Sequence, residues 1–155
     1  MKQEEVWNSI AESWNNFRKY PSNKRVINLA NKGNWKNSLI FKGQTHHSKV
    51  IKSLANSDLF VSTSVKESYG ISVVEACSVG LPVVSLNTGD FSYWVKQNQN
   101  GYLIDQGNGY ELENKILDVL TDLNLLNQLK AESKRLSTKM SIPTWEQSSS
   151  KFEQI

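Results

Sequence analysis

The stretch Thr63-Ser-Val-Lys-Glu-Ser-Tyr-Gly-Ile-Ser-Val-Val-Glu-Ala-Cys-Ser-Val-Gly-Leu-Pro-Val-Val-Ser-Leu86 decides how this chain folds. It opens on a polar loop carrying Lys66-Glu67-Ser68-Tyr69-Gly70. It continues into a segment of helical period from about Ile71 to Gly80, and ends in the apolar run Pro82–Leu86. A short apolar strand, Asp58-Leu59-Phe60-Val61, precedes the loop, so the order is strand, loop, helix, strand. Strands separated by a helical segment must pair in parallel, because the crossover returns the chain to the same end of the sheet.

The same alternation continues on both sides. Ser38–Phe41 and Tyr102–Ile104 are further short runs of the strand type, the latter after the turn Asn100-Gly101. Helical spacing is expected over 47–56, 70–79, 91–96, 109–120, 122–138 and 144–152, with Pro143 in the last break. The fold class expected is α/β: a Rossmann-like parallel sheet flanked by helices. Near the amino terminus, Val6, Trp7, Ile10, Ala11, Trp14 and Phe17 recur at three- and four-residue spacing, which predicts an amphipathic helix over 4–19. Pro21 ends it, and a second helix, or a strand, follows to about Asn31. The polar stretch 31–37 then reads as a junction. Two segments are therefore expected, a helical leader over 1–32 and the α/β domain over 33–155.

Composition bounds the function. The 155 residues carry 38% hydrophobic and 21% charged side chains, a globular balance. The formal charge is +3, with Lys and Arg scattered rather than striped, so a nucleic-acid partner is not expected. One cysteine, Cys77, excludes an internal disulfide and fits a reducing, cytoplasmic setting. Apolar runs of four or five residues are far short of the roughly 20 needed to span a bilayer, although a peripheral membrane contact stays open. His46-His47 has no carboxylate or cysteine nearby in sequence and reads as surface or capping. No metal or cofactor is called for, and no serine sits in a nucleophile-elbow context.

Chemistry concentrates in the opening stretch. In an open parallel sheet, ligands bind beyond the carboxyl ends of the strands, where loops meet helix starts. At the start of the helix the backbone N–H groups of Gly70, Ile71 and Ser72 lack intrahelical partners. Together with the helix dipole they favour an anion by ~0.3–1 kcal/mol, up to ~2 when partly buried. Glu67 and Glu75 bracket that position, and carboxylates suit the paired hydroxyls of sugar and ribose. Taken one at a time, these are ordinary surface glutamates and a turn glycine.

Their order is what carries information. ESYGISVVEACSVGLPVVS resembles the signature of GT-B retaining glycosyltransferases, which have two Rossmann-like domains and transfer sugar from nucleotide-sugar donors. The resemblance runs over residues 36–155: LIFKGQTHHSKVIKSLANSDLFVSTS upstream and LNTGDFSYWVKQNQNGYLID downstream are similar to the family's flanking segments. It implies half of a GT-B fold, incomplete at its N-terminal side, that binds a nucleoside-diphosphate sugar. By that resemblance Glu67 contacts the donor sugar and stabilises the transition state, and Glu75 holds the ribose. Tyr69, Gly70, Ile71 and Ser72 contact the diphosphate and sugar, Lys42, Gly43 and Gln44 border the base, and Gly89 and Asp90 face the sugar. A separate acceptor-binding domain or subunit is the implied partner.

Three departures stand out. Asp90 replaces the second of two glycines, Tyr93 replaces a glutamate, and the family's Arg and Lys pair has no counterpart before Phe41. The leader EEVWNSIAESWNNFRKYPSNKRVINLANK resembles instead the first helices of class I tRNA wobble-uridine methyltransferases, without their glycine-rich S-adenosylmethionine loop. A composite chain accounts for both resemblances. The alternatives to a glycosyltransferase are a non-catalytic nucleotide-sugar-binding or interaction module and, more remotely, a methyltransferase remnant.

Overall fold

The computed structural model describes Ile40 and residues 42–139. The expected helices over 4–19, 22–31 and 144–152 lie outside these residues. So does the expected strand at Ser38–Phe41 except for Ile40, which is exposed and in no strand. The chain divides into two compact units, Met1–His47 and Ser48–Ile155. In the first, the described residues are all exposed.

Helix α1 (His47–Ala55) leads into a three-stranded parallel sheet of β1 (Phe60–Ser62), β2 (Val83–Leu86) and β3 (Gly101–Ile104), in the order β1-β2-β3. The crossovers are α2 (Ile71–Ser78) between β1 and β2, and the short α3 (Phe91–Trp94) between β2 and β3. After β3 come α4 (Gly109–Thr121) and α5 (Leu123–Ser137). Phe60 pairs with Val83 and Ser62 with Ser85, while Val83 pairs with Gly101 and Leu86 with Ile104. The expected α/β architecture, a Rossmann-like parallel sheet flanked by helices, is thus the observed one.

Strand β2 is central, and all four of its residues are buried, as a strand covered on both faces requires. Side chains alternate across a strand, so β2 supplies two cores. On one face Val83 joins Val73, Val74, Ala76 and Cys77 of α2 with Phe91 and Trp94 of α3. On the other, Val84 and Leu86 join Tyr102, Ile104, Leu112, Val119, Leu126 and Leu129. Each fully buried Val, Leu or Phe contributes roughly 1.5–3 kcal/mol. The two layers cover both faces of the sheet.

Helix α3 is shorter than its expected 91–96. Val95 turns to extended backbone, and the Lys96 N–H is taken at 2.6 Å by Oδ1 of Asn100. Asn100 is itself buried and donates through Nδ2 to the Trp94 carbonyl at 3.0 Å. That side chain stops α3 where the next turn would have continued. No helix among the described residues is long and apolar enough to cross a membrane.

Candidate functional site

Parallel strands deliver their following loops to one end of the sheet. The loop after β1 spans 63–70 and the loop after β2 spans 87–90. The two loops are stitched together. Thr88 Oγ1 accepts from the Glu67 N–H at 3.3 Å and donates to the Val65 carbonyl at 3.4 Å, and the Asp90 N–H donates to the Ser68 carbonyl at 3.0 Å. The Asn87 N–H donates to the Ile104 carbonyl at 2.7 Å, which ties the second loop to the end of β3.

Gly89 and Gly70 make this closeness feasible. At Gly89, with φ of 51°, a Cβ would stand 2.4 Å from the Ser68 carbonyl oxygen and 2.5 Å from that of Glu67. At Gly70, with φ of 70°, a Cβ would stand 2.0 Å from Cε1 of the fully buried Phe91. Real side chains cannot occupy either space. The missing side chain at Gly70 therefore faces the core, where the glycine has a packing role.

The left-handed conformation of Gly70 has a second effect. Its carbonyl accepts from Val73 N at 2.9 Å and Val74 N at 3.2 Å, closing the first turn of α2, yet it offers no side-chain cap. Among the described residues, no partner engages the N–H groups of Ile71 and Ser72, and both residues are exposed. The positive end of the α2 dipole is open to solvent there.

The carboxylates sit on either side. Glu67 is exposed, and its Oε1 accepts from Ser64 Oγ at 2.9 Å, which limits its rotamers. Glu75 is half-buried and follows Ile71 and Ser72 by four and three positions, hence on the same helix face. Tyr69 is 43% exposed and meets the Trp94 ring edge-on at 5.7 Å. Asp90 and Gly89 are both exposed. Lys42, Gly43 and Gln44 belong to the first compact unit and are exposed, with Gly43 at φ of 62°. The structure thus brings Glu67, Tyr69, Gly70, Ile71, Ser72, Glu75, Gly89 and Asp90 to one end of one unit.

Sequence reasoning passed over Ser64, Thr88 and Phe91 as site-building residues. Thr88 carried a legible signal, a hydroxyl between the end of an apolar strand and a glycine. Phe91 carried none, because only the folded contact shows why Gly70 cannot have a side chain. Cys77 lies under the site, buried, and burial pushes its thiol up to about 12. It is protonated at neutral pH and inert as a nucleophile. His46 and His47 are exposed, and no group of three or more His, Cys, Asp or Glu among the described residues could hold a metal ion.

Comparison with known proteins meets this geometry. The profile of the family described as glycosyl transferases group 1 matches residues 3–136. The chain belongs to that family. The glycosyl transferases group 1 match includes residues 3–32, the stretch read from sequence as a leader of separate origin.

Two curated proteins match parts of the chain. N-acetyl-alpha-D-glucosaminyl L-malate synthase of Bacillus anthracis is 26% identical over 100 residues, 64% of this chain and 26% of that protein. Trehalose phosphorylase of Grifola frondosa is 28% identical over 76 residues, 49% of this chain and 10% of that protein. The matched stretch thus spans about a quarter and a tenth of these curated relatives. Among solved structures, the C-terminal domain of a glycosyl transferase group 1 family protein (LpcC) from Francisella tularensis superposes with a TM-score of 0.68 at 22% identity, covering 79% of this chain and 63% of that one. Anabaena HepE, solved in complex with UDP-glucose, superposes at 0.65 with 25% identity, covering 75% of this chain and 32% of that one.

Proposed function

We propose that this chain binds a nucleoside-diphosphate sugar at the α2 start and serves as the donor half of a retaining glycosyltransferase. The observation that carries the reading is the uncapped start of α2, closed by left-handed Gly70 with Ile71 and Ser72 N–H unpartnered among the described residues. A diphosphate suits it, since it brings charge and several acceptor oxygens to one place. Membership of the glycosyl transferases group 1 family supports the reading, as does the fold shared with HepE, whose structure contains UDP-glucose.

Transfer breaks the bond between the anomeric carbon and the diphosphate oxygen. Negative charge then grows on the departing diphosphate, where oriented N–H groups and the helix dipole stabilise it at no reorganisation cost. Glu67, steadied by Ser64, sets a carboxylate beside the sugar as positive charge develops on it. Glu75 accepts from the ribose hydroxyls along the same face of α2. The acceptor is presented by a domain or subunit outside the described residues. A cytoplasmic setting accords with a chain whose single cysteine is a buried thiol.

Calorimetry on the 155-residue chain with UDP-glucose and with UDP tests the reading. Saturable heat is expected for both. No heat from either at millimolar concentration would sink it.

A further inference from the structure

The loops after β1 and β2 meet over one hydroxyl. Thr88 is 7% exposed, and its Oγ1 both accepts from the Glu67 N–H at 3.3 Å and donates to the Val65 carbonyl at 3.4 Å. A buried hydroxyl without a partner destabilises a fold, and valine would fill much the same space without needing one. The hydroxyl at this position is therefore explained by the loop it reaches, 21 and 23 residues earlier in the chain.

The Glu67 carboxylate depends on that tie. Among the described residues it accepts from Ser64 Oγ alone, at 2.9 Å, and Ser64 lies in the same loop. That bond sets the carboxylate relative to its loop and leaves the place of the loop itself to other contacts. Three bonds supply it: the two at Thr88, and the one from the Asp90 N–H to the Ser68 carbonyl at 3.0 Å. The last joins main-chain atoms, so among the described residues Thr88 is the one side chain that bonds the two loops. The start of α2 is built without it. There the Gly70 carbonyl accepts from Val73 and Val74, and Gly70 itself packs on the Phe91 ring.

We propose that Thr88 is a positioning residue for the donor sugar: its hydroxyl fixes the Glu67 loop so that the carboxylate meets the sugar, while the diphosphate seat at the α2 start does not need it. The inference rests on the donor reading above and divides that site in two. One part, on α2, takes the nucleotide. The other, held together across the loops, takes the sugar.

Calorimetry on the full chain with UDP-glucose and with UDP separates the two parts, because only the first ligand carries the sugar. Thr88→Val deletes the hydroxyl and nearly keeps the volume. It is expected to lower the ratio of UDP-glucose affinity to UDP affinity about three- to tenfold, the range of one net hydrogen bond, with UDP itself within about twofold of wild type. Thr88→Ser keeps the hydroxyl and should keep the wild-type ratio. If urea denaturation shows that Thr88→Val does not fold, Thr88→Ala carries the same expectation. In a chain that binds UDP, a ratio unchanged by loss of the hydroxyl overturns this inference alone. So does an equal loss for both ligands, the mark of a merely structural role, or a Thr88→Ser ratio that falls as far as that of Thr88→Val. A wild-type chain that binds neither ligand overturns the donor reading and this inference with it.

Discussion

Three of the helices that follow strands or turns here begin in two different ways. Helices α4 and α5 start with side-chain caps: Asn108 Oδ1 accepts from Glu111 N at 3.2 Å, and Asp122 Oδ1 accepts from Asn124 N at 2.9 Å and Leu125 N at 3.1 Å. Helix α2 starts at Gly70 with no side-chain cap. The capped helices pack on the sheet face of Val84 and Leu86, with α5 also meeting the chain just after α2 at Gly80, and the uncapped helix borders the loops with Glu67 and Gly89. A cap satisfies donors that a ligand would otherwise meet, so the contrast separates a structural helix start from one left open for an anion.

The largest break of this contrast is Gly70→Ala. The substitution places a Cβ within 2.0 Å of Phe91 and forces alanine into the left-handed region. Strain and overpacking together are expected to cost about 2–4 kcal/mol, read by urea denaturation, with loss of UDP-glucose binding by calorimetry. A variant as stable as the wild type would show that Gly70 does not pack as described.

Glu75→Ala acts on the same helix without touching its start. Removing hydrogen bonds between a charged group and the ribose is expected to weaken UDP binding by about 1.5–3 kcal/mol. An unchanged UDP affinity would take Glu75 out of the site.

The core under the site adds a pH signature. In the unfolded chain the Cys77 thiol ionises near 9.0, whereas burial holds it protonated to about 12 in the fold. Between those values the unfolded state has released a proton that the folded state keeps, so stability is full below about pH 9 and falls as pH rises. The loss is about 1.4 kcal/mol per pH unit, and at pH 10 wild type should have lost about that much relative to Cys77→Ala, each compared with its own stability at pH 7. Parallel pH profiles for the two proteins would contradict the buried thiol.

Much of this was legible before any coordinates. The run Pro82–Leu86 announced a strand of a parallel sheet, and the helical period before it announced the crossover helix α2. What stayed hidden were contacts between residues far apart in sequence. Thr88 reaches back more than twenty residues to the Glu67 loop, and Phe91 fills the space that a side chain at Gly70 would need. The end of α3 was misjudged for the same reason, because Asn100 competes for its last N–H from beyond the helix.

Asp122→Ala gives the smallest effect and the sharpest test of the comparison. Asp122 caps α5 through two backbone N–H groups, and its loss is expected to cost about 1 kcal/mol of stability. If helix starts divide by task, that cost should appear in denaturation with UDP-glucose affinity unchanged, because no candidate ligand contact lies on α5. Gly70→Ala, by contrast, should lose affinity. The destabilised Asp122→Ala protein also serves as the control for Gly70→Ala, since it shows whether a modest loss of stability alone weakens binding. Should Asp122→Ala reduce UDP-glucose affinity as Gly70→Ala does, binding would be tracking the stability of the whole unit, and the uncapped start of α2 would lose its special standing.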